Sequence, residues 1–163
     1  MKLLVELMMV ARQESSMFEQ VFRIVYRKRR VNSRRRVSRR RKAPNRLDYL
    51  ERKEIARTIV MERLAHFSQL YRTLDPANAI SMKFAKVAIR NQRSRWGSCS
   101  ANKNLNFNYR VLDLEPELRD YVIAHELCHL KELNHGKAFW DLLSLVIPNA
   151  RALNHKARHM RIS

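Results

Sequence analysis

Apolar positions recur at helical spacing in LDYLERKEIARTIVMERLAHFSQLY (47–71), where Ala56, Val60, Leu64, Phe67 and Tyr71 define one face. This predicts a long amphipathic helix, with Asp48 as its N-cap and Glu51 three residues on as a variant capping box. After the Asp75–Pro76 turn the period changes. KVAIR (86–90) is short and β-branched. LNFNYR (105–110) alternates, with Leu105, Phe107 and Tyr109 on one face and Asn106, Asn108 and Arg110 on the other. The turn ANKN (101–104) joins that strand to RWGSCS (95–100), which predicts an antiparallel hairpin. Helical spacing returns at PELRDYVIAHELCHLKEL (116–133), opened by Pro116 at the first helical position. Phe139, Trp140, Leu143 and Val146 repeat at helical intervals in a closing segment. RALNHKARHMRIS (151–163) reads as a basic terminal helix with His155 and His159 exposed. Upstream, residues 1–26 read as a helix, or a helix and a strand, ending in the β-prone FRIVY. The fold class expected is α+β.

The 163 residues suit one ordinary domain, and 45% hydrophobic content suits a folded one. The formal net charge of +19 changes the picture. Residues 1–42 carry 14 Lys/Arg against 3 acids, and 27–42 alone hold 11 basic residues, whereas 43–163 carry 20 against 12. Such a run repels itself and cannot bury a face. Residues 1–42 are therefore expected to be a basic segment, partly disordered or divergent, with 43–163 as the domain proper. The run at 27–42 points to polyanions, nucleic acid first. Two cysteines, Cys99 and Cys128, give no disulfide framework, and Cys128 reads as a buried, inert thiol. MKLLVELMMVARQESS faintly imitates a signal peptide, but only Lys2 precedes the apolar run, Glu6 interrupts it and no small-residue cleavage site follows. No apolar stretch approaches the roughly 20 residues of a membrane span. A cytoplasmic protein is expected.

HELCHLKELNH (125–135) holds three histidines and one glutamate in eleven residues. At about 100° per residue, His125 and His129 stand within about 40° of each other, while Ile123, Leu127 and Leu130 fall on the opposite side. Two imidazoles in front and an apolar anchor behind suit a metal on the helix surface. Zinc fits: two histidines and a third protein ligand leave one place for water, whose pKa falls to about 7. Glu126, about 100° from His125, reaches that water as general base without binding the metal. A straight helix cannot bring the third ligand. His135 can be that ligand if LNHG (133–136) ends the helix, with Asn134 in left-handed geometry and Gly136 freeing the chain. Glu132, on the helix face seven residues after His125, is a rival, and a distant acid a third alternative. The reaction expected is hydrolysis of a peptide bond. The alternatives are metal-dependent hydrolysis of nucleotide phosphoanhydrides, and a nucleic-acid-binding protein on a zinc-stabilised scaffold.

RNQRSRWGSCSANKNLNFNYR (90–110), DYVIAHELCHLKELNHGKAFW (120–140) and YLERKEIARTIVMERLAHF (49–67) together closely resemble the YgjP-like metallopeptidases, relatives of the SprT/WLM group. The resemblance covers roughly residues 47–150. It implies a compact zincin-like metallopeptidase: a small antiparallel sheet packed on the HExxH helix, with a long helix before and a closing helix after. It implies Zn2+, with His125, His129 and His135 as ligands, Glu126 as catalytic base, and a peptide or protein substrate. Members carry a longer β-rich N-terminal portion, whose place residues 1–42 take here. The 105–110 strand resembles the edge strand along which such enzymes pair an extended substrate. Asn106, Tyr109 and Tyr121 are the cleft candidates, and Tyr109, Arg95 and His155 the candidates for stabilising an oxyanion. Trp96 and Gly97 read as core packing with a close backbone approach.

Overall fold

The computed structural model describes residues 45–76, 82–160 and 162. The expectations for 1–26 and for the basic run at 27–42 lie outside them. The first helix, α1 (Arg46–Leu74), carries the anticipated stripe, with Ala56, Val60, Leu64, Phe67 and Tyr71 buried and Ile59 added to them. Its N-cap is Asn45, not Asp48: the Asn45 side chain accepts from the Leu47 amide at 3.4 Å, and Asp48 sits within the first turn. Asp48 there still favours the positive end of the helix dipole, so the acidic signal was right in kind and displaced by one turn. The helix runs on to Leu74 and stops just ahead of Pro76, whose ring disfavours helical backbone at the residue before it.

Three strands follow: β1 (Lys86–Arg90), β2 (Gly97–Cys99) and β3 (Asn104–Asn108). The hairpin forms as expected, with Gly97 opposite Phe107 and Cys99 opposite Leu105. Lys103, with φ of 56°, supplies the left-handed residue that closes its short loop. The sheet as a whole is mixed rather than antiparallel, because β1 pairs parallel to β3, Val87 with Leu105 and Ile89 with Phe107. Strand order is β1-β3-β2, so β3 is central and is not an edge. Alternation along 105–109 reports which face is buried and carries no information about neighbours, which is why the expectation of an edge strand there failed.

Tyr109–Asp113 forms a 3-10 turn against α1, where the Tyr109 ring meets Tyr49 edge-on at 5.2 Å. Helix α2 (Pro116–Cys128) starts at Pro116 as anticipated and ends five residues early. Its apolar side buries Ile123, Ala124 and Leu127. A two-pronged ion pair docks it on α1, Arg63 Nε and Nη2 donating to the two Asp120 oxygens at 2.8 and 2.7 Å. Burial nevertheless holds the Asp120 carboxyl above the usual range, against the pull of Arg63. Helices α3 (Lys137–Ser144) and α4 (Ala150–His159) close the unit. The Tyr71 hydroxyl lies 3.0 Å from Cys128 Sγ and donates to the Leu142 carbonyl, joining α1, α2 and α3. Burial pushes the Cys128 thiol up to about 12, in keeping with the inert thiol expected there. Among the described residues no helix is long and apolar enough to cross a membrane.

Candidate metal centre

Helix α2 ends on a histidine. His129 is its C-cap, and the chain turns through short bonds from Leu130 N to Leu127 O and from Lys131 N to Cys128 O. The break therefore comes at His129 and not at LNHG. Lys103 alone among the described non-glycine residues has positive φ, so Asn134 is not left-handed, and Gly136 adopts an extended φ of −73° with open space where a Cβ would stand. What folds the chain back is a side chain: His129 Nδ1 donates to the Glu132 carbonyl at 2.9 Å. Glu132, the rival ligand, thus contributes its backbone oxygen, and its carboxylate is outside the histidine cluster.

The turn delivers His135 to the other two. His129 Nε2 lies 3.2 Å and His135 Nε2 3.0 Å from His125 Nε2, and the three donor atoms fall within 4.8 Å of one another. Phe139 of α3, fully buried, floors the cluster, its ring centroid 4.9, 4.8 and 4.6 Å from those of His125, His129 and His135. The donors' other nitrogens fix their tautomers. A carbonyl only accepts, so His129 carries its proton on Nδ1 and turns a bare Nε2 inward. His125 Nδ1 lies 3.0 Å from the Tyr121 hydroxyl, which donates to Asn154 Oδ1 at 3.0 Å. His125 therefore donates to Tyr121, and its Nε2 is also bare. Lone pairs facing one another at this distance repel unless a cation lies between them. Tetrahedral ligands about 2.0–2.1 Å from one ion stand about 3.3 Å apart, which the two spacings from His125 approach. The donor set fits a metal ion. Burial and the neighbouring histidines hold His125 down to about 3, and burial lowers His129, so protons compete weakly for these nitrogens.

Beside the cluster, Glu126 is 7% exposed. Burial pushes its carboxyl up to about 8, with Arg95 pulling the other way. Its side chain lies over the backbone of β2: a Cβ on Gly97 would stand 2.6 Å from Glu126 Cγ and 2.7 Å from Oε1. The close backbone approach expected at Gly97 is thus an approach by Glu126. An open cleft of about 580 Å³ exposes Glu126 and His125, with Arg93, Arg95 and Tyr121, and Asn154 and Arg158 of α4, among its other walls.

Of the cleft candidates, only Tyr121 lines this cleft. Tyr109 is buried against Tyr49, and its ring is flanked by Arg52 and Arg110. Asn106 accepts from Arg90 Nε at 2.9 Å and faces Ser98 across the sheet. Both were chosen from the strand taken for an edge, and β3 is central. Among the oxyanion candidates Arg95 reaches the cleft. His155 lies instead beside His159 in a neighbouring hollow with Trp140 and Arg151. Asn154, which orients Tyr121, carried no signal in the sequence, since it meets the site only through the packing of α4 on α2.

Three imidazoles and one carboxylate, brought together by α2 and the turn after it beside an open cleft in an α+β fold, are an arrangement of the metallopeptidase class. The family comparison gives the particular one: the profile described as YgjP-like, metallopeptidase domain, matches residues 6–159, and the chain belongs to that family. The match begins well ahead of residue 47, where the recognisable motifs start. Among solved structures, the metallopeptidase zymogen abylysin of Pyrococcus abyssi aligns with a TM-score of 0.48 and 24% identity, over 60% of this chain and 90% of that one. No curated protein matches.

Proposed function

We propose that the protein is a zinc-dependent peptidase of the HExxH type. His125, His129 and His135 would hold the ion, and Glu126 would act as general base. The observation that carries this reading is the convergence of three bare or inward-turned Nε2 atoms beside a buried carboxylate that opens on a cleft. Zn2+, when bound, supplies Lewis acidity that polarises a carbonyl and acidifies water. Glu126 would take the proton from the attacking water and return it to the leaving amine. Tyr121 and the Glu132 carbonyl hold the rings in the tautomers that ligation needs. The edge strand available to an extended substrate is β2, since it pairs on one side with β3 and carries Gly97 against Glu126.

The test is a panel of peptides run with and without chelator on wild type, Glu126→Gln and His135→Ala. Glu126→Gln is expected to keep its metal and lose about 10²–10⁴-fold in hydrolysis. His135→Ala is expected to lose the metal. Full activity in Glu126→Gln would remove the general base and refute the mechanism. A second reading, hydrolysis of nucleotide phosphoanhydrides, is favoured by the arginines of the cleft, and nucleotides in the same panel separate the two.

A further inference from the structure

The arginines of the cleft lack the carboxylate partners that three others on the domain have. Arg52, Arg57 and Arg63 each face a carboxylate, that of Asp113, Glu54 and Asp120 respectively. Arg93, Arg95 and Arg158 do not: among the described residues none of them makes an ion pair, and Glu126 is the sole acid lining the cleft. They come from two separate elements. Arg93 and Arg95 lie on the loop between β1 and β2, and Arg158 near the end of α4. All three line the same cleft as Glu126 and Tyr121.

The loop is also held. Asn108, fully buried at the end of β3, donates from Nδ2 to the carbonyls of Gln92 and Arg95 at 2.8 and 3.3 Å. Its own amide donates to the Trp96 carbonyl at 2.8 Å. A buried asparagine spent on three backbone oxygens fixes the path of residues 92–96, and with it where the guanidinium stems start. Like charges presented together without a counter-charge raise the energy of the free cleft. An anion bound among them relieves that repulsion and gains charge-assisted hydrogen bonds.

We propose that Arg93, Arg95 and Arg158 form an anion-recognising subsite that selects peptides with Asp or Glu next to the scissile bond. The proposal rests on the peptidase reading for the word peptide, and its test is binding, which needs no turnover. The probe is a pair of short fluorescein-labelled peptides that differ only in Asp/Glu against Asn/Gln around the central bond. Binding to the full-length, zinc-loaded Glu126→Gln protein is followed by anisotropy at about 0.15 M salt, where exposed long-range attraction is screened within about 8 Å. The acidic peptide is expected to bind about 3- to 10-fold tighter, the yield of two or three partly exposed ion pairs. Arg95→Gln/Arg158→Gln is expected to collapse that ratio towards one, and Arg95→Lys/Arg158→Lys to restore part of it. Lys83→Gln/Lys86→Gln removes the same charge from exposed positions at and just before β1, the opposite sheet edge, and is expected to leave the ratio intact.

Equal binding of the two peptides overturns the proposal, and so does a ratio that survives loss of both arginines or falls as far in the lysine control. Cleavage is scored separately. If wild type cleaves neither peptide, the peptidase reading fails while the binding ratio still decides the subsite. Equal cleavage and equal binding keep the peptidase and sink the subsite.

Discussion

Gly97 is where a single methyl group tests the geometry of the proposed base. A Cβ there would stand 2.6 Å from Glu126 Cγ, 2.7 Å from Oε1 and 2.9 Å from Cδ. Carbon atoms rest at about 3.5–4.0 Å, so the Glu126 side chain must retreat by roughly 1 Å. It cannot retreat freely, because it is 7% exposed and two of the three clashing atoms lie inside the side chain, not at its tip. Overpacking of this kind costs about 1–3 kcal/mol of stability. A shift of about 1 Å in a catalytic group costs about 10²-fold in rate. Gly97→Ala is therefore expected to fold, to bind its metal, and to lose about 10²-fold in kcat with little change in KM. The three nearest atoms all belong to Glu126, which is why the metal should stay. Metal content by mass spectrometry, thermal unfolding and steady-state peptide hydrolysis together read the outcome. Gly136→Ala is the control, since nothing lies within 4 Å of its Cβ position and its φ is ordinary; kcat should be unchanged. Wild-type kcat in Gly97→Ala would refute the placement of Glu126 as the working base.

Tyr121→Phe removes the oxygen that accepts from His125 and donates to Asn154, and should weaken metal binding about 10-fold in competition with a chromophoric chelator. Unchanged affinity would mean that His125 needs no partner to set its tautomer. In the metal-free protein His125 is held down to about 3 from an ordinary 6.5. Below about pH 6.5 the unfolded chain takes up a proton that the folded chain refuses, so this histidine lowers stability as pH falls from 6.5 towards 3, by up to about 1.4 kcal/mol per pH unit. Urea midpoints across that range should decline in the metal-free protein, and a flat profile would contradict the burial of a neutral ring.

The part of the site legible in the sequence is the part that obeys local periodicity. His125 and His129 share a face because helical pitch puts them there, and the buried Ile123 and Leu127 occupy the opposite side for the same reason. The stripe on α1 was readable on identical grounds. What depended on a neighbour in space was not. Strand order escaped because Leu105 and Phe107 face the core equally well in a central or an edge strand, and with it went Tyr109 and Asn106 as cleft residues. Asn108 looked like the polar face of a strand, yet it is fully buried, its amide consumed by the loop that carries Arg93 and Arg95. Gly97 gave a signal without an object: glycine in a strand says that something comes close and does not say what.

The break after α2 joins these levels. Helix propensity in LCHLKEL favours continuation, and a continued helix would have pointed His135 about 240° away from His129. The competing term is the proposed ligand itself. By donating Nδ1 to the Glu132 carbonyl, His129 caps its own helix, turns its Nε2 inward and draws the next residues back until His135 reaches His125. The same bond thus sets the tautomer of one donor and the position of another. The fold of residues 129–135 thus itself assembles the proposed metal site, with Phe139 as the apolar floor against which all three rings lie.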